Sequence, residues 1–433
     1  MNKLITKFYS KELYKVFSVS GFRIFIQLLV GFLTSKALAI FVGISGMGII
    51  GLVRNVISFM GEFLLFGTQN GIVKNLASQK NIKDEEKFLV TLFWFYFSIS
   101  LIISILFVSF FKTINHIFFI DKITNFWIVF LFAICIPFQA ISLFFNSVLN
   151  GKSKYKSVAT IGMYSSIASL LISVLLMRFY RLEGALIGLI FTSIITFIIS
   201  SFFFSKLYPL AIFIKHFKFN SKVIYPLLNY SLMSLVSIVI SFSFSYYIRI
   251  EIIKKFTLEY AGYYEAIQRI SGFYMLFINT FITFYYLPEL AKCSSNKEIK
   301  KLTKEYYKNI IPIFSIGLLI LLIGVDYIIP FFYNQKFLVI SPYVKYQVLL
   351  DFIKALYLII GVRFYAFGKT KGFLMTEIFS FAINFLFFTI AIYLFDFKGV
   401  WYGQILSSLI YFLLLIIVFN RYFNKNYLFH YEG

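Results

Sequence analysis

Runs of twenty or so mostly apolar residues recur along the whole chain, parted by short stretches rich in lysine. At about 1.5 Å of rise per residue, each run can cross a hydrocarbon core of ~30 Å as a helix. The runs centre in 15–41, 46–69, 88–111, 124–149, 157–178, 184–205, 224–248, 261–288, 308–333, 342–367, 372–395 and 399–420. The pattern therefore predicts twelve spans, the fourth kinked at Pro137, where one helical hydrogen bond is lost.

Several spans carry polar positions that lipid would not tolerate. In the second, Arg54, Ser58 and Glu62 recur every four residues and Gln69 continues their line, which places them on one helix face. A charge at mid-bilayer costs about 2.5–3.5 kcal/mol even on the lenient insertion scale, so such a strip has to face water or a partner helix. In the eighth span, Glu265, Arg269, Gly272, Asn279 and Thr283 follow the same period. Ser20, Arg23, Gln27, Gly31 and Thr34 line one face of the first span, and Gln347, Asp351 and Lys354 one face of the tenth.

The pattern repeats at an offset of about 215 residues. RNVISFM at Arg54 matches RISGFYM at Arg269, Gly151-Lys152-Ser153-Lys154 matches Gly368-Lys369-Thr370-Lys371, and Gly184…Gly188 matches Gly399…Gly403. Six spans per half is an even number, so the halves share one orientation, related by an axis along the membrane normal. The expected fold is an all-α integral membrane protein of two six-helix bundles, residues 1–205 and 223–433, joined by a basic linker at 206–222. Two like bundles with a polar seam are a transporter layout.

Composition agrees. The 433 residues are 60% hydrophobic with a mean hydropathy of +0.85, above the 45–50% apolar share of soluble domains. The formal charge of +23 is accounted for by lysines crowding one side of the spans. With the N-terminus inside, inner loops and tails hold 25 of the 41 Lys and Arg, and the outer loops hold nine, Arg249, Lys254 and Lys255 among them. Both termini are then cytoplasmic, and residues 1–15, with lysines at every fourth position, read as an amphipathic helix on the inner surface. No nucleic-acid motif competes with this reading. His116, His216 and His430 fall in predicted loops or the tail, and Cys135 and Cys293 in unlike surroundings, so neither a metal site, a histidine relay nor a disulfide is expected. The aromatics, 59 Phe and 31 Tyr, read as lipid-facing filler and interfacial belts.

Seven cations, Arg23, Lys36, Arg54, Arg269, Lys345, Lys354 and Arg363, lie within predicted spans, against Glu62, Glu265, Asp351, Glu377 and Asp326. A positive interior suits an anionic substrate. Lys36, Lys345 and Arg363 sit near span ends, where they can snorkel, and Glu377 can be interfacial. Asp351 and Lys354 either neutralise each other or serve in ion coupling. Arg23, Arg54 and Arg269 lie roughly 12–15 Å deep and cannot shed their charge. They either grip phosphate oxygens with their forked donors or pair structurally with Glu62 and Glu265.

SKALAIFVGISGMGIIGLVRNVISF (35–59), NGIVKNLASQ (70–79), the GKSK segment at 151 and LEGALIG (182–188) resemble the Wzx-type polysaccharide and O-antigen flippases of the multidrug/oligosaccharidyl-lipid/polysaccharide (MOP) superfamily. Within that superfamily the chain is most similar to the Wzx-type flippases, a group that includes the enterobacterial lipid III flippase. The resemblance implies transfer of an undecaprenyl-diphosphate-linked oligosaccharide from the inner to the outer leaflet of a bacterial inner membrane by alternating access, with no bond made or broken. It implies partnership with the polymerase and chain-length proteins of the same pathway, no cofactor beyond a coupling H+ or Na+, and no nucleic acid. Its cationic lumen corresponds to Arg23, Arg54 and Arg269, with Gln27, Lys36, Lys74 and Lys354 beside them and Glu62, Glu265 and Asp351 as coupling or charge-pair groups. A cation-coupled drug exporter of the same superfamily should have an acidic cavity instead. A glycan polymerase should carry a catalytic module in a large outer loop, and the outer loops here are a dozen residues or fewer.

Overall fold

The computed structural model describes residues 11–78, 82–119, 126–215, 221–293, 295–367 and 369–424. Among the described residues there is no strand, and helices, most of them long, account for nearly all of those residues. The membrane helices are α1 (Lys11–Phe41), α2 (Gly43–Leu64), α3 (Ile82–Ser109), α4 (Phe126–Gly151), α7 (Ser221–Lys255), α8 (Leu258–Phe281), α10 (Ser341–Ala366), α11 (Thr370–Leu394) and α12 (Gly399–Asn424). Asn296–Ile323 forms α9. The stretch Tyr155–Ser205 holds two more, α5 (155–180) and α6 (182–205), because Arg181 at φ 46° and ψ −116° reverses the chain between them. Twelve helices result, as expected. Of these, α8 and α10 are long enough to cross but fall outside the apolar set, and they carry Glu265, Arg269 and Asp351.

The chain divides into two compact units, Met1–Val239 and Ile240–Gly433. The boundary falls inside α7 and not in the 206–222 linker. The expected amphipathic segment at 1–15 lies mostly outside the described residues.

The repeat is visible in backbone geometry. Arg181 and Asp396, 215 residues apart, both take left-handed φ, 46° and 51°, at the turns before α6 and α12. A Cβ on Gly184 would sit 2.1 Å from the Leu176 carbonyl oxygen, and one on Gly399 would sit 2.0 Å from that of Ala391. One turn on, Gly188 and Gly403 lie as close to Ser173 and to the Phe387 carbonyl. In each unit a GxxxG face lets a helix rest on its predecessor's backbone.

Two expectations are corrected. Gln69 does not continue the Arg54 line, because Phe66 (φ 50°) and Gly67 (φ 65°) end α2 and start a short helix, Gln69–Ser78. A Cβ on Gly67 would meet that of Ser234 at 2.3 Å, so only glycine fits this turn. His116, expected in a loop, lies on the short helix Phe111–Phe119. Around Pro137, α4 stays helical. The carbonyl of Ala133, deprived of its usual donor by the proline, accepts from Ser104 Oγ of α3 at 2.7 Å.

Within the first unit, α3, α4 and α6 enclose a cavity of about 600 Å³. Phe93, Phe97, Leu101 and Ser104 line it from one face of α3, and Ile134, Phe138, Ile141 and Phe145 from one face of α4. The short helix Ala211–Lys215 caps one end with Phe213, which stacks on Phe93 at 4.3 Å and accepts the Trp94 indole N–H at its carbonyl, 2.9 Å away. Beside it, Glu85 accepts from the Tyr208 hydroxyl and from Lys152 at 2.5 Å.

Candidate functional site

In the first unit, α2 buries Met47, Ile50, Val53, Val56, Met60 and Leu64 on one side. Its other side leaves Arg54 half-buried and Ser58 and Glu62 exposed. The polar strip read from the sequence is therefore the helix's accessible face, as its period requires. Arg23 of α1 lies flat against α5. Gly162 makes the room: a Cβ there would sit 2.8 Å from Arg23 Nε. That Nε is buried with no hydrogen-bond partner, an uncompensated donor inside a membrane helix. Gln27, one turn on, and Lys36 are half-buried. Lys74 falls on Gln69–Ser78, its side chain outside the described residues.

The second unit handles its charges differently. Arg269, 8% exposed, donates from Nε to Glu265 Oε1 at 3.0 Å. The other oxygen of Glu265, which is wholly buried, accepts from Arg249 at 3.2 Å. Arg249 also donates to the Ser245 carbonyl at 3.0 Å and lies over the Tyr264 ring at 5.5 Å. One carboxylate thus bridges two guanidinium groups. Arg249 is the correction here: expected in an outer loop, it is buried on α7, which runs on to Lys255. The apolar run ends near 248 and suggests a span boundary, but a residue with a buried partner need not be apolar.

A second cluster joins α8 to α10. Asp351 Oδ2 accepts from Ser271 and Tyr274, both at 2.6 Å, and from Gln347 at 2.9 Å. Lys354 Nζ stands 3.5 Å from Oδ1. Gln347 Oε1 in turn accepts from Gln268 at 2.9 Å and from the Trp401 indole of α12 at 2.8 Å. Asp351 and Lys354 do pair, and three further donors hold the same carboxylate. Ser271, Tyr274 and Trp401 escaped the sequence reading, since neutral polar and aromatic side chains are common in any span. Arg363, expected to snorkel, is 6% exposed and donates to Thr303 Oγ1 at 2.6 Å, with the Phe419 ring 5.3 Å away.

Among the candidates, then, Glu265 and Arg269 share one network, and Asp351 and Lys354 another. Arg23, Gln27, Lys36, Arg54 and Glu62 lie on α1 and α2 of the first unit. Among the described residues no group of His, Cys, Asp and Glu could hold a metal ion.

A family model described as "Polysaccharide biosynthesis protein" matches residues 37–342. No curated protein sequence matches the chain significantly. Among solved structures, the lipid II flippase MurJ in an inward closed conformation superposes with a TM-score of 0.71 at 19% identity, covering 94% of this chain and 87% of that one. An inward-facing multidrug resistance MATE transporter of the MOP superfamily gives 0.71 at 14% identity, over 93% and 96%. The MATE multidrug transporter DinF-BH gives 0.69 at 15% identity, over 95% and 96%. These likenesses establish the twelve-helix MOP fold.

Proposed function

The chain belongs to the polysaccharide biosynthesis protein family, and from that premise we propose that it flips an undecaprenyl-diphosphate-linked oligosaccharide across a bacterial inner membrane, both its termini cytoplasmic. Arg23 carries the reading: its Nε is buried with no hydrogen-bond partner, on a helix that spans lipid. With Nε covered by α5, a diphosphate would be met by the outer nitrogens of the guanidinium fork, which bind phosphate oxygens two at a time. Arg54, on the accessible strip of α2, is the second ligand, with Gln27 and Lys36 further along α1 from Arg23. Matching the head group's charge removes much of the cost of moving it across a low-dielectric slab.

Arg269 takes a supporting part. Glu265 already answers its charge, and the three-residue cluster with Arg249 keeps one net positive charge that attracts the anion without being consumed by it. Asp351 ties α8 to α10 with Lys354 paired beside it, and a proton, a sodium ion or the membrane potential supplies the driving force. No covalent step is involved. The polymerase and chain-length proteins of the same pathway would take up the flipped unit.

Glycan display in cells whose only flippase is the Arg23→Ala variant tests this, with membrane levels checked by blotting. Display should fall at least tenfold, and Arg23→Lys should keep a part of it. Undiminished display by the alanine variant at normal levels would overturn the proposal.

A further inference from the structure

The cavity between α3, α4 and α6 plays no part in this reading of the arginines, yet its lining is selective. Seven of its fourteen lining residues are Phe or Trp, and their rings form stacked walls: Phe93 stacks on Phe213 at 4.3 Å and on Phe97 at 6.0 Å. The polar groups along it are nearly all spent. Ser104 donates to Ala133 and the Trp94 indole to Phe213, which leaves the Ser201 hydroxyl without a partner. A sugar or a head group would lose its hydrogen bonds inside, whereas a hydrocarbon would not. Leu101 of α3 and Ile134 of α4 at its edge remain 39% and 42% exposed, so the cavity opens sideways from helices that stand in lipid. Along α3 it extends from Phe93 to Ser104, roughly 16 Å at the helical rise, about half of a hydrocarbon core.

We propose that this cavity seats part of the polyprenyl tail of a prenyl-phosphate lipid. One feature favours that chain over an ordinary acyl chain, and a second favours an anionic head. A polyprenyl tail carries a methyl branch and a double bond in every five-carbon unit, whose C–H and π edges match ring faces and ring edges. The capped end lies beside the start of the basic linker, with exposed Lys206. That end therefore complements an anionic head. The identity of the tail rests on the flippase reading. The cavity would hold the chain in the bilayer plane while the head group moves.

A photoreactive polyprenyl monophosphate, free of glycan, tests the tail site on the full-length protein in phosphatidylcholine nanodiscs. Crosslinks should map to peptides of α3, α4 and α6 and should be competed by unlabelled polyprenyl monophosphate but not by an excess of phosphatidylglycerol. Leu101→Trp, at the exposed edge, and Ser201→Phe, inside, should each lower the labelling at least fivefold without changing the thermal melting of the protein. Labelling that maps elsewhere, or that phosphatidylglycerol competes away, overturns the proposal, as does labelling undiminished by both variants. Labelling is scored without transport: a labelled cavity in a protein that flips nothing would remove the flippase reading alone, and flipping with an unlabelled cavity would remove the tail site alone.

Discussion

Arg23 and Arg269 carry the same charge at similar depth along their helices, and their neighbours make them different groups. Glu265 satisfies Arg269 from one turn away and Arg249 from the adjoining helix, so its carboxylate holds two buried cations. Replacing it by glutamine keeps the shape but leaves both uncompensated, a change that costs about 3–5 kcal/mol when a buried pair is broken. Glu265→Gln should therefore lower the melting temperature of the protein in detergent markedly, and Arg249→Met in the same chain should recover part of the loss. An unchanged melting point for the single variant would show that the bridge contributes little. The pairing of Arg269 with Glu265 was legible from their four-residue spacing, an ordinary helical contact. The share taken by Arg249 was not: a partner sixteen positions away meets its carboxylate only through the α7–α8 turn, and no local period records that.

At the scale of helices, the sequence repeat and the backbone repeat say the same thing. The GxxxG pairs at the starts of α6 and α12 were visible as matched glycines, and each brings a helix against the carbonyls of the one before it. Gly184→Ala or Gly399→Ala would push a methyl group to within about 2 Å of a backbone oxygen, so either should sharply reduce the yield of folded protein. Gly361 on α10 meets nothing within 4 Å; Gly361→Ala should be tolerated and gain up to about 0.5–1 kcal/mol in helix stability. The twelve spans were equally legible, because a bilayer imposes one length on every element. The Ser104 bond was not, since it depends on where α3 meets the proline in α4. A double-mutant cycle isolates it. Ser104→Ala should destabilise the Pro137 protein by about 1 kcal/mol, the scale of bonds between membrane helices. It should cost little in a Pro137→Ala background, where the restored N–H satisfies Ala133 directly. Equal losses in both backgrounds would mean that the serine acts through packing.

For the molecule as a whole, the charge asymmetry predicts an orientation, and the chain carries its own probe. With 25 of its cations assigned to one side by the lysine pattern, the turn between α8 and α9 is expected in the cytoplasm. Cys293 sits in that turn, partly exposed, while Cys135, the other cysteine, is buried in α4. A membrane-impermeant maleimide should therefore leave intact cells unlabelled at this protein and label one site after the membrane is opened. Labelling of intact cells would invert the assignment. The chemistry adds an internal check. Burial, together with the negative charge of Glu298 and then Glu289, raises the pKa of the Cys293 thiol, and the thiolate is the form that attacks. A raised pKa leaves less thiolate at neutral pH, so labelling of opened membranes should be slow there and quicken as the pH rises. Glu289→Gln, which removes one of those charges at some cost to its 2.7 Å pairing with Lys292, should shift the rate profile toward lower pH. A profile unmoved by that change would mean that the charge of Glu289 does not govern the thiol, with the sidedness result left standing.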